Sequence, residues 1–260
     1  MPFQKSYFVV YNAKSMVTNV IDLRDFYASS LGRIVKSDLK QLIGELWPCK
    51  VGEVIVGLGY AAPFLDFFDA EKNTILAFMP AQQGVLGWPS QKVIRSSLVE
   101  EDMLPLKDKS IDKLLLIHAL ENCHNVQYLL REAWRVLAPD GKILLITPNR
   151  RGLWARSDQT PFGHGQPYTM TQLSSLLRTH LFTPTSFLRG LYALPSSSRF
   201  VQTIISPVAE KAGRTCLQKF SGIVCIEAVK QVYAGMTAPK IRKQIPLTLI
   251  PTPSRRPMGA

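Results

Sequence analysis

The chain has 260 residues, enough for one sizeable α/β domain with short extensions and too few for two domains of average size. Its 46% apolar and 19% charged residues suit a packed interior and exclude a disordered or fibrous chain. The net charge is +12, of which Lys240, Arg242, Lys243, Arg255 and Arg256 carry +5 in a stretch without acids. That balance permits contact with nucleic acid, but no dense basic stripe interleaved with aromatics occurs, so nucleic acid is not the favoured partner.

From Asp22 to Trp47, Leu23, Phe26, Tyr27, Leu31, Ile34, Leu39, Leu42, Ile43 and Leu46 recur at helical spacing, which predicts one bent helix or two with Asp22 as a cap. Pro48 ends it. Val54 to Val56 reads as a strand that stops at Gly57-Leu58-Gly59 and leads into a helix over Ala61 to Phe68, with Pro63 in its first turn. Thr74 to Phe78 reads as a second strand, Val93 to Val99 holds a third, and the unbroken apolar run in Ile111 to Ile117 suits a strand buried on both faces. Val126, Leu129, Leu130, Ala133, Trp134 and Leu137 form one face of a helix. Pro139-Asp140-Gly141 predicts a turn, with Gly141 free to take positive φ, before a strand over Lys142 to Thr147.

Pro148 to Tyr168 lacks either periodicity and follows a strand's carboxyl end, where open α/β sheets bind ligands. Thr171 to Phe182 reads as helix, residues 183–212 are ambiguous, and Gly222 to Val232 reads as a last strand. Strands alternating with helices predict a Rossmann-like, doubly wound α/β fold, a mostly parallel sheet with helices on both faces. Residues 1–20 are expected to be an extension, 21–235 the domain, and 236–260 a basic, proline-containing tail, extended or disordered. The longest apolar runs fall far short of the roughly 18 residues that cross a bilayer, and Met1 to Tyr11 lacks a signal-peptide pattern, so no membrane span and a cytoplasmic location are expected. Cys49, Cys123, Cys216 and Cys225 lie far apart, suggesting buried thiols rather than a disulfide framework or a zinc site.

Two stretches resemble the class I S-adenosylmethionine-dependent methyltransferase family, in particular its type 11 domain. Leu104-Pro105-Leu106 with Asp108, Ser110, Ile111 and Asp112, running into Leu114 to Ile117, resembles that family's loop and fourth strand. Arg131 to Gly141, followed by Lys142 to Pro148, resembles its helix, turn and fifth strand almost residue for residue. The resemblance spans roughly residues 22–150 and implies a seven-stranded sheet, S-adenosylmethionine as cofactor and a methyl acceptor, here expected to be a small molecule.

It further implies that Gly57, Gly59 and Ala61 form the glycine-rich cofactor loop, where small residues let the backbone approach a ligand closely. Taken alone, that pattern also fits a nicotinamide dinucleotide. The family's acid two positions before the first glycine is replaced by Ile55. Its ribose-binding carboxylate, roughly 20 residues after the glycines, is replaced by Phe78, Met79 and Pro80, leaving Gln82 or Gln83 as neutral substitutes. Glu100, Glu101 and Asp102 stand at the adenine-binding position, Glu100 first by spacing. His118, after the fourth strand, is a candidate base, and Trp154, Arg156, Phe162, His164 and Tyr168 are candidates for a lid over the acceptor, His164 foremost. Methyl transfer is an in-line displacement that needs positioning and exclusion of water, so no fixed catalytic triad is expected. The two missing carboxylates motivate an alternative: a methyltransferase fold that has become an interaction protein.

Overall fold

The computed structural model describes residues 18–48, 50–90, 93–192, 195 and 220–232. The expected tail, most of the N-terminal extension, Cys49 and Cys216 lie outside the described residues. The chain begins with α1 (Val20–Ala28) and α2 (Ser30–Leu46), separated at Ser29, whose hydroxyl accepts from Gly32 N and caps the second helix. The apolar register is thus carried by two helices. The cap of α1 is Asn19, which accepts from Ile21 N, and not Asp22, which sits inside the first turn.

A seven-stranded sheet follows: β1 (Val54–Gly59), β2 (Thr74–Pro80), β3 (Ser96–Val99), β4 (Ile111–Ile117), β5 (Leu137–Pro148), β6 (Phe182–Gly190) and β7 (Ile223–Lys230). Its order is β3-β2-β1-β4-β5-β7-β6, with all pairings parallel except those of β7, which lies antiparallel to both neighbours. The strand order reverses between β1 and β4, a crevice at whose carboxyl edge open α/β sheets bind ligands. Helix α3 (Ala62–Leu65) is a single turn with Pro63 near its start, shorter than the eight residues of Ala61 to Phe68, while α4 (Val126–Val136) and α5 (Met170–Thr179) are full helices.

The sheet divides the core in two. On one face, α1, α2 and α3 pack Leu23, Leu39, Ile43 and Phe64 against Ile55, Leu115 and Ile146. On the other, α4 and α5 pack Leu130, Ala133, Leu173 and Leu177 against Val56, Leu114 and Leu145. β5 continues through the expected turn, where Asp140 rather than Gly141 takes the positive φ (63°). A Cβ on Gly141 would meet Ala138 O at 2.8 Å, so glycine is required there for space. At the far end, the buried Glu227 accepts hydrogen bonds from Trp47 Nε1 (2.8 Å), Lys142 Nζ (3.0 Å) and Thr185 Oγ1 (2.8 Å), tying α2, β5, β6 and β7 together. Among the described residues, no helix is long and apolar enough to cross a membrane.

Candidate active site

β1 delivers Gly57-Leu58-Gly59 to the carboxyl edge of the sheet, at the strand-order reversal. Gly59 has φ +84°, and a Cβ there would lie 2.3 Å from Ile117 O. A Cβ on Gly57 would lie 2.6 Å from the Ala61 Cβ. Tyr60 N donates to Ile117 O at 2.8 Å, which fixes the turn against β4. The small residues are therefore demanded by the approach of β4 and α3 to the turn. The turn is also covered. Tyr60 is only 4% exposed, and Tyr27 of α1 stacks on it with ring centroids 5.4 Å apart and planes 10° off parallel. Phe64 meets Tyr27 edge-on.

His118 follows β4 with φ 53°, a left-handed conformation in a non-glycine residue of the kind that clusters at functional sites. It is 1% exposed, and its Nε2 shares a 2.9 Å hydrogen bond with Tyr27 Oη. Its Nδ1 stands 3.2 Å from Glu121 Oε1 without hydrogen-bond geometry, and neither oxygen of this buried carboxylate has a hydrogen-bond partner. Gln83 Nε2 and Asn122 Nδ2 both donate to His118 O, at 3.0 and 3.1 Å, while Gln83 Oε1 and Asn122 Oδ1 lack donors. Buried polar atoms without partners are rare in folded proteins, and here they gather at one point on the ligand-binding edge. Burial, then the neighbouring Tyr60 and Glu121, hold the Tyr27 phenol well above its ordinary pKa. Sequence reasoning missed Tyr27, Glu121 and Asn122. The position of Glu121 and Asn122 just past a buried strand, at the edge where ligands bind, was the available signal.

Phe78 and Met79 end β2 buried on opposite faces, one in each core. Neither offers a polar group to a ribose beyond the Met79 sulfur, which accepts from Leu86 N. Gln82 is exposed and its Nε2 reaches Glu101 Oε1 and Asn122 O, both at 3.4 Å. Glu101 also accepts from His124 N at 3.2 Å, whereas Glu100 is exposed. Gln82, Glu100, Glu101 and Asp102 line one cavity of about 170 Å³ with His124 and Asn125. Burial, helped by a hydrogen bond to Glu101, pushes the nearby Cys123 thiol pKa up, so it is no nucleophile at neutral pH.

Among the lid candidates, Trp154 and Phe162 are buried and meet edge-on at 5.6 Å. Phe162 packs on His118 with centroids 4.8 Å apart and on Phe26 at 6.2 Å. Tyr168 is buried too, while Arg156 is exposed. His164 lines a different cavity, of about 450 Å³, with Asn19, Asp22, Phe26 and Asp158. The structure thus gathers His118, Tyr27, Tyr60 and Phe162 around the glycine turn and gives Gln82 and Glu101 a place beside it.

This strand order, with its single antiparallel strand and glycine turn after β1, defines the class I methyltransferase fold. Residues 56–145 match the family described as methyltransferase domain, and they lie on this topology from β1 through most of β5. Similar solved structures carry the same fold. A possible histamine N-methyltransferase from Thermotoga maritima aligns with 18% identity over 82% of this chain and 96% of its own, with TM-score 0.57. A methyltransferase from Archaeoglobus fulgidus aligns with 17% identity over 82% of this chain and 100% of its own, with TM-score 0.54. One from Mesorhizobium loti aligns with 14% identity over 73% and 96%, with TM-score 0.51. No curated protein matches the chain by sequence.

As they stand, the residues around the turn do not fit the family's cofactor. Gly57 to Ala61 is buried, with Tyr27 stacked on its Tyr60, β2 ends without a carboxylate, and the adjoining cavity of about 170 Å³ serves only the Gln82 and Glu101 end.

Proposed function

We propose that this chain is an S-adenosylmethionine-dependent methyltransferase acting on a small-molecule acceptor, and that α1 must withdraw Tyr27 from the glycine turn before cofactor enters. The observation that carries the reading is the Gly57 to Ala61 turn at the end of β1, inside the stretch matched by the methyltransferase-domain family. Gln82 and Glu101 are the polar groups available at the adjoining end, and His118 is the candidate base once Tyr27 has left its Nε2.

A second reading is favoured by the same burial: a methyltransferase fold that has given up its cofactor and works through interactions. Tyr27, stacked on Tyr60 and bonded to His118, then serves as permanent core. Calorimetric titration with S-adenosylmethionine and S-adenosylhomocysteine separates the two. Saturable heat with the native chain, strengthened in Tyr27→Ala, supports the enzyme. No heat at millimolar ligand with either chain, while both remain folded by circular dichroism, overturns it in favour of the second reading.

A further inference from the structure

On the same edge of the sheet, at its β6 end, three arginines converge where nothing assigns a role. Arg150 and Arg151 follow β5, Arg189 lies one residue before the end of β6, and all three line a cavity of about 670 Å³ with the first turn of α5. The backbone that presents them is tightly tied. Asn149 N donates to Gly222 O (2.9 Å), Arg150 N to Tyr168 O (3.1 Å) and Arg151 N to Asn149 Oδ1 (3.2 Å), while the buried Asn149 Nδ2 donates to Ser221 O (2.8 Å). Among the described residues, none of the three guanidiniums has a hydrogen bond or ion pair, and the cavity wall contains no carboxylate. Met170 and Thr171, in the first turn of α5, line the same cavity, and the first N–H groups of a helix have no intrahelical partner. The Thr169 hydroxyl and Gln172 form a closed capping box that does not use the Met170 and Thr171 amides.

Unpaired like charges in one cavity repel, and an anion that accepts from several of them relieves that repulsion through charge-assisted hydrogen bonds. Arginine forks match the paired oxygens of a phosphate. We infer that Arg150, Arg151 and Arg189, with the α5 amides, form a phosphate-binding subsite that holds a phosphate monoester on the small-molecule acceptor. The cavity exceeds the size of one phosphate and opens on the edge that carries His118, as an acceptor held at its phosphate end requires. This inference rests on the methyltransferase reading for its word acceptor, not for the site itself.

The test is calorimetric titration of the full chain with inorganic phosphate at low ionic strength and without cofactor, so that failure of cofactor binding leaves it readable. One saturable site is expected, weakened at least about tenfold by Arg151→Ala or Arg189→Ala, which corresponds to one charge-assisted contact. Arg33→Ala, an exposed charge on α2, should stay within about twofold of the native chain. Arg151→Lys, which keeps charge but loses the fork, should fall between and guards against misfolding of the alanine variants. The inference is overturned by absence of a saturable site, by equal weakening in Arg33→Ala, or by acetate binding as tightly as phosphate. A short single-stranded oligonucleotide binding far more tightly than phosphate, with a steep salt dependence, overturns the small-molecule assignment in favour of nucleic acid.

Discussion

Tyr27 and His118, 91 positions apart in sequence, share a buried 2.9 Å hydrogen bond that closes α1 over the glycine turn. Replacing Tyr27 with Phe keeps the ring that stacks on Tyr60 but leaves His118 Nε2 unpaired in the interior. Loss of one partner from a buried pair costs about 1–3 kcal/mol. For a domain of this size each kcal/mol lowers the melting temperature by about 2–4 °C. Melting followed by circular dichroism should show Tyr27→Phe destabilised in that range. A melting temperature equal to the native value would mean that Tyr27 and His118 are apart in solution and that the turn is already open.

The glycines of the turn invite a different error of interpretation. Gly59 and Gly52 share φ +84°, yet a Cβ on Gly59 meets Ile117 O at 2.3 Å whereas one on Gly52 meets nothing within 4 Å. Gly52→Ala should therefore cost only the left-handed backbone penalty, about 1–2 kcal/mol. Gly59→Ala adds a backbone collision, and we expect at least about 3 kcal/mol, since packed interiors yield little to an added methyl. Urea denaturation without cofactor measures both. Activity lost in a Gly59 variant would thus report on folding before it reported on cofactor, and similar midpoints for the two variants would refute this packing account.

Much of the fold was legible because buried parallel strands and amphipathic helices leave local patterns. Leu114 to Ile117 is an unbroken apolar run because both faces of β4 are covered there, and α4 keeps its stripe because only one of its faces meets the sheet. Boundaries were less legible. Asn19 caps α1 because Val20 already packs in the core, and α3 stops after one turn because an isolated short helix depends on packing rather than periodicity. The site was legible only as far as single residues go. Gly57, Gly59 and His118 stand out in the sequence, but the filling of their surroundings by Tyr27, Tyr60 and Phe162 comes from contacts between distant segments, which periodicity does not encode.

The most family-like stretch, Arg131 to Gly141, contributes scaffold. Glu132 Oε1 accepts from Leu104 N (2.8 Å) and from Arg135 Nη2 (2.6 Å), and Arg135 donates further to Leu106 O (2.8 Å) and Leu104 O (3.1 Å). These bonds clamp the loop before β4 onto α4. Arg135→Met should destabilise the chain by about 2–4 kcal/mol, because Glu132 is left buried with its charge unpaired. Its effect on S-adenosylhomocysteine affinity should be nil, since neither residue lines the cavities at the carboxyl edge. A large loss of affinity at native stability would instead tie this clamp to the site.

Alkaline unfolding should begin around the glycine turn. Burial pushes the Tyr60 phenol from its ordinary 10.0 up to about 12, burial and Glu121 push Tyr168 to about 12, and Tyr27 is raised as well. A raised phenol pKa means that the folded state holds its proton more tightly than the unfolded chain does. These groups therefore contribute their full stability below pH 10.0, and the contribution falls as pH climbs toward about 12, because the unfolded chain ionises first. Phenolate absorbance titrated with base should show these three tyrosines ionising late, coincident with loss of near-ultraviolet circular dichroism. Tyr27→Phe should remove one late ionisation and leave the other two in place. If all the tyrosines ionise in one step near the ordinary phenol value while the fold persists, the Tyr27 and Tyr60 stack does not exclude water and the glycine turn is accessible.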